Sequence, residues 1–164
     1  MGGDSESITT YLEMREPQTP QATAPLRNAM LLRISEAEPA FYRYLDDRMG
    51  GDTAEPVDDE RLAERMVDPD YDVYVLYLGG IPAALFELDR RAPSEVELVR
   101  FGVLDGFGGR GLGKYVLAQA IETAWGHGPE RVWVRSTNRD DPRRILLLQW
   151  AGFEPYETTR ERPG

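Results

Sequence analysis

The chain of 164 residues contains no cysteine and a single histidine. The first absence excludes disulfides, thiolate metal sites and a cysteine nucleophile. With one histidine, His127, set in "GHG" and read as loop, neither a histidine-based triad nor a multi-histidine metal centre is expected, and no metal is assigned. No apolar run approaches the ~18 residues that a membrane-spanning helix needs, so no membrane partner is expected. The opening "MGGDSESITT" lacks the basic and apolar regions of a secretory signal, which points to the cytoplasm. Basic residues are outnumbered, 19 Lys and Arg against 29 Asp and Glu, for a net charge of −10. Nucleic acid, which calls for a basic footprint, is not an expected partner.

What is present divides into a polar start and a patterned remainder. Residues 1–28 ("EPQTPQATAPLRN" among them) read as a loose leader, with "ITTYLEM" able to form a short strand. Residues 29–164 read as one domain. "AMLLRIS" is a strand, and a helix runs from Ser35 toward Gly50 and Gly51. "DDERLAERMVD" is a second helix. "YDVYVLYL" and "IPAALFELDRR" flank the dipeptide "GG", a hairpin signal, and "EVELVRFGVL" adds a strand. Val116, Leu117, Ala120, Ile121, Ala124 and Trp125 then recur at helical spacing. "RVWVRST" is a strand, "DPRRILLLQWAG" a helix with Pro142 near its start, and "FEPYETTRE" a last strand. From residue 29 the order is β-α-α-β-β-β-α-β-α-β.

Between a strand and the clearest helix lies "DGFGGRGLGKY", residues 105–115, with five glycines and two cations. That setting suits an anion: main-chain N–H groups converge at a helix N-terminus, and the helix dipole adds about half a positive charge there. A P-loop would require Gly-Lys-Ser/Thr, and Tyr115 stands where the hydroxyl belongs. The dinucleotide pattern G-x-G-x-x-G is matched by residues 106–111. However, the strand before it follows a hairpin, and the strand after it ends without the acidic residue that holds a ribose.

"GGRGLG" (108–113), the strand before it, the helix after it and the closing "WAGFEPY" together resemble the GNAT superfamily of acyl-CoA-dependent N-acetyltransferases, over roughly residues 29–160. The resemblance implies an α+β fold with a central mixed, mostly antiparallel sheet flanked by helices. It implies acetyl-CoA as co-substrate, its pyrophosphate held around Gly108, Gly109, Arg110, Gly111, Leu112, Gly113 and Lys114. Gly111 and Gly113 occupy the glycine positions of the family loop Q/R-x-x-G-x-G/A. The acyl carbonyl would meet a main-chain amide near Val103. The acceptor would be a small-molecule amine, attacked directly in a ternary complex, and a homodimer is compatible with the family. A catalytically weakened CoA-binding sensor or partner module is the alternative.

Two positions depart from the family pattern. Gly108 stands in place of the usual Gln or Arg, and Leu148 in place of a tyrosine that serves as general acid. An alkylammonium of pKa near 10.4 costs about 4.6 kcal/mol to deprotonate at pH 7, so a general base helps. Glu97 on the strand before the loop is the first candidate base and Glu87 on the neighbouring strand the second; either can also be a solvated strand-face carboxylate. Arg100 is expected to pair with Glu97 or to line the acceptor site, and Asp140 and Asp141 to cap the helix after Pro142. Ile145, Leu146, Leu147 and Leu148 are assigned to the core, as are most of Phe41, Tyr42 and Tyr44.

Overall fold

The computed structural model describes residues 6–22, 28–34, 39–49, 58–109 and 111–162. In chain order the elements are β1 (Ser7–Met14), β2 (Ala29–Ile34), α1 (Pro39–Arg48), α2 (Asp59–Val67), β3 (Tyr71–Leu78), β4 (Ile81–Asp89), β5 (Glu95–Val103), α3 (Leu112–Trp125), β6 (Arg131–Thr137), α4 (Arg143–Trp150) and β7 (Glu154–Glu161). The strands form one mixed sheet in the order β2-β3-β4-β5-β6-β1-β7. Among the described residues β5 and β6 alone run parallel, and the other five pairs are antiparallel. No helix among the described residues is long and apolar enough to cross a membrane.

Part of the expected leader is not loose. Residues 7–14 form β1, which lies inside the sheet and pairs with β6 on one side and β7 on the other. Its Leu12 and Met14 are buried in the main core. The short strand that "ITTYLEM" is able to form is thus present, within a segment otherwise read as loose, and its alternate residues Ile8, Leu12 and Met14 are apolar on one face.

The hairpin between β3 and β4 turns on Gly79 and Gly80, both in the left-handed region at φ 60° and 86°. Two such residues are what a two-residue turn matched to strand twist requires. Strands β3 and β4 are buried on both faces, which is why their sequences read as nearly continuous apolar runs. Ala84, Phe86 and Leu88 of β4 join the core under α3, whereas Leu85 joins the smaller core under α1. A second small core, with Tyr42, Leu62, Met66, Tyr71 and Val73, seats α1 and α2 on that same face.

Helix α1 starts at Pro39; Ser35, Gly50 and Gly51, named as its limits, lie outside the described residues. In α4 the four-residue aliphatic run divides by face. Leu148 is fully buried, Ile145 and Leu147 are half-buried, and Leu146 is exposed, contrary to its assignment to the core. A helix of eight residues packed on one side leaves about half its circumference in solvent. Tyr44 is likewise exposed on α1, stacked parallel to Phe41.

Candidate active site

Strands β5 and β6 pair for only three residues, Glu95↔Arg131, Val96↔Val132 and Glu97↔Trp133, and then part. Beyond that point β6 stays with β1 and β5 stays with β4. Leu104 N–H donates to the Ala83 carbonyl at 2.9 Å, which makes Ala84 and Val103 a non-hydrogen-bonded pair. The N–H of Val103 therefore points away from β4, into the gap, and by alternation so does that of Phe101. The gap opens into a groove of about 1050 Å³ whose lining includes Glu87, Glu97, Val103, Gly113 and Leu147.

A bulge in β5 decides which side chains face which layer. Glu87 opposes Arg100 and Leu88 opposes Leu98, leaving Val99 as the extra residue. Val99 packs with the α1/α2 core and Arg100 reaches Tyr42 on the same side. Phe101 and Val103 then fall on the α3 side, the reverse of what strict alternation from Glu97 would give.

At the C-terminal end of β5 the chain enters the glycine-rich turn. Gly106, Gly109 and Gly111 adopt positive φ of 93°, 77° and 72°. Gly111 is the N-cap of α3 and offers no side chain, so among the described residues no side chain caps the first-turn N–H groups. A Cβ built on Gly108, Gly109, Gly111 or Gly113 would meet nothing within 4 Å. The protein itself does not need those glycines for packing; the open space and the uncapped amides fit a bound anion such as a pyrophosphate. Phe107, half-buried against two cores, anchors the turn, and Lys114 lays its ammonium 4.8 Å from the centre of the Trp150 ring on α4. Arg110 lies outside the described residues.

The two candidate carboxylates have different surroundings. Glu87 is 1% exposed and accepts hydrogen bonds from the hydroxyls of Tyr42 at 2.6 Å and Tyr71 at 2.7 Å. Arg100 donates to the Tyr42 oxygen at 3.1 Å and stands 3.8 Å from Glu87. Burial and the neighbouring Glu87 charge push both phenols far above their ordinary pKa, so they stay protonated as donors. Glu97 keeps 14% of its side chain exposed and has one cation, Arg135, at 3.2 Å. Burial raises its pKa, and Arg135 only partly offsets the shift.

Arg100 does not pair with Glu97; it bonds Asp46 on α1 at 2.6 Å, because the bulge turns it toward the helices. Asp141 accepts from the Arg143 N–H at 2.9 Å, at the start of α4. Asp140 instead accepts from the Thr137 N–H at 2.8 Å, closing the turn after β6. His127 lies 3.6 Å from Asp72, and neither residue lines the groove. Sequence reasoning missed the Tyr42–Glu87–Tyr71 cluster and Arg135. Tyr42 and Glu87 are 45 residues apart, and no local pattern marks such a pair.

The sequence matches the family model described as "Acetyltransferase (GNAT) family" over residues 34–153. A search of curated protein sequences returns no match. Among solved structures, the fold is similar to that of a GCN5-related N-acetyltransferase from Kribbella flavida, with a TM-score of 0.66 and 20% identity. That alignment covers 96% of this chain and 58% of the other, so the chain spans about three fifths of that relative. A Bacillus subtilis acetyltransferase in complex with CoA aligns with a TM-score of 0.61 and 22% identity over 77% of each chain. The ribosomal-protein-S18-alanine N-acetyltransferase of Escherichia coli gives 0.63 and 18% over 79% of each. At these identities the structural likeness speaks for the fold, and the family match, over more than half of the sequence, shows that the chain belongs to the acetyltransferase (GNAT) family.

Proposed function

We propose that the chain transfers an acetyl or related acyl group from acyl-CoA to a small-molecule amine, directly and within a ternary complex. One observation carries this reading: two main-chain amides, of Phe101 and Val103, face a gap between parting strands that ends at an uncapped, glycine-rich helix N-terminus. In that arrangement the amides around Gly108–Lys114 and the dipole of α3 bind the pyrophosphate, with Arg110 and Lys114 adding charge. The N–H of Val103, with that of Phe101 beside it, donates to the thioester carbonyl and stabilises negative charge as it develops on oxygen. The amine nitrogen forms the new N–C bond, the C–S bond breaks, and sulfur leaves as thiolate. A thiol pKa near 8.5 makes this a tolerable leaving group at about pH 7, and water supplies its proton.

Glu97 takes the surplus proton of the amine, through water. Its raised pKa favours that task, and its partial exposure at the point where the strands part gives it a path to solvent. Glu87 is closed off by two phenols and serves to position α1 and β3 around the acceptor.

A second reading, a CoA-binding module without turnover, is supported by Leu148, which stands at the family's acid position and is fully buried. Thiol release from acetyl-CoA over a panel of amines, beside calorimetry with CoA alone, separates them. Release with any amine carries the transferase; CoA binding without release from any amine leaves the module.

A further inference from the structure

The carboxylates on the acceptor side of the groove already have partners. Glu87 has two phenols, Glu97 has Arg135, and Asp46 has Arg100. Asp89 grips Arg91 through Nε at 3.0 Å and Nη2 at 2.7 Å. A free dication or polyamine would find these charges taken. Arg65 of α2 is the contrasting case. It is half-buried, lines the same groove as Glu87, Asp89 and Glu97, and holds its guanidinium carbon 5.2 Å from the centre of the Tyr71 ring. Arg91 approaches the same ring at 5.4 Å but is tied to Asp89. Among the described residues Arg65 makes no ion pair. Its charge also helps to lower the pKa of Asp89 and opposes the upward shift of Glu97, both carboxylates of that groove. A guanidinium partly withdrawn from water, with its planar donors open, matches a carboxylate in charge and shape.

We infer that the acceptor is an amine that also carries a carboxylate, bound with the carboxylate on Arg65 and the amine toward Glu97. This rests on the acyl-transfer reading above. Arg65 then fixes specificity and orientation, and the chemistry of N–C formation is unchanged.

The test uses the full chain, acetyl-CoA and matched acceptor pairs: a series of L-amino acids, each beside its primary amide, with a simple polyamine as a third arm. The acid of at least one pair is expected to react with kcat/KM roughly 10- to 100-fold above its amide, the effect of one charge-assisted pair. Arg65→Gln is expected to raise KM for the acid more than it lowers kcat and to bring the acid-to-amide ratio within about threefold. Arg65→Lys should recover part of the ratio, and Arg61→Gln, exposed on the same helix, should preserve it. Thiol release that is equal for acid and amide, or confined to amides and polyamine, overturns the inference while leaving the transferase intact. A ratio insensitive to Arg65→Gln overturns the assignment of this residue. Absence of release from every acceptor overturns both readings together.

Discussion

Glu97 and Trp133 are the last residues to face one another across the parallel pair β5 and β6 before the strands part. The carboxylate thus stands at the closed end of the gap, and the Phe101 and Val103 amides stand farther along it. If Glu97 is the base, Glu97→Gln lowers turnover by roughly 10²–10⁴ and leaves CoA affinity nearly intact. The raised pKa sets the sign of the pH dependence: wild-type activity falls as pH drops toward the raised value, because a protonated Glu97 accepts nothing. The defect of the variant shrinks as pH rises toward the pKa of the amine. Pre-steady-state and steady-state rates over a pH series check both; a pH-independent defect moves the role elsewhere.

Gly113 has open space where a Cβ would be and does not share the positive φ of Gly111. Gly113→Asp is therefore expected to leave thermal stability nearly unchanged and to abolish CoA binding, since a negative side chain enters the anion site. Gly111→Asp abolishes binding as well and adds backbone strain of about 1 kcal/mol. Calorimetry with CoA and a thermal melt of each variant check this; unchanged affinity in Gly113→Asp removes the turn from the binding site.

Tyr42 and Tyr71 share the buried Glu87 carboxylate. Removing one donor by Tyr42→Phe leaves a buried carboxylate oxygen short of a partner, and is expected to cost about 1–3 kcal/mol. Denaturant unfolding measures it. A cost indistinguishable from that of an exposed substitution would show that the cluster does not hold α1 to the sheet.

Leu148→Tyr places a larger, polar ring into a fully packed core. The expected outcome is a loss of about 1–3 kcal/mol from overpacking, with no gain in thiol release. Leu147, one residue earlier, lines the groove, so Leu147→Tyr is the variant expected to present a phenol to the groove and to raise thiol release. Parallel melts and thiol-release assays on the two variants decide; a gain in Leu148→Tyr alone would reverse this assignment of faces.

Asp72 is buried and pulls Arg33 and Arg90 to 2.8 and 2.7 Å. Burial works to raise its pKa, but the hydrogen bonds from Arg90 and Arg33 outweigh it and hold the carboxyl below the usual range. A depressed folded-state pKa contributes stability that is fully present above the unfolded value of about 3.9 and is lost as pH falls through the folded one. Asp72→Asn is expected to destabilise by about 1–3 kcal/mol at neutral pH, by removing the buried carboxylate that Arg33 and Arg90 share while both guanidiniums keep access to solvent. Its deficit should narrow below about pH 3.9, as the wild-type carboxylate is protonated. Urea titrations at both pH values check the sign.

From residue 29 onward, the order of elements, the hairpin on Gly79 and Gly80 and the placement of the glycine-rich turn were legible in the sequence, because each depends on local causes. Period-2 and period-3.6 patterns, positive-φ residues and a helix start are properties of a few adjacent residues. Strand β1 was only half legible, since its stability comes from two neighbours more than a hundred residues away rather than from its own composition. The reach of Arg100 to Asp46, the enclosure of Glu87 and the aim of the Phe101 and Val103 amides were decided by tertiary structure alone. The first and third follow from one extra residue, Val99, in register against β4, and the second from the two phenols that α1 and β3 bring to Glu87. A register shift is a relation between two strands, and it reverses the facing of every side chain beyond it, so no pattern within either strand could have announced it.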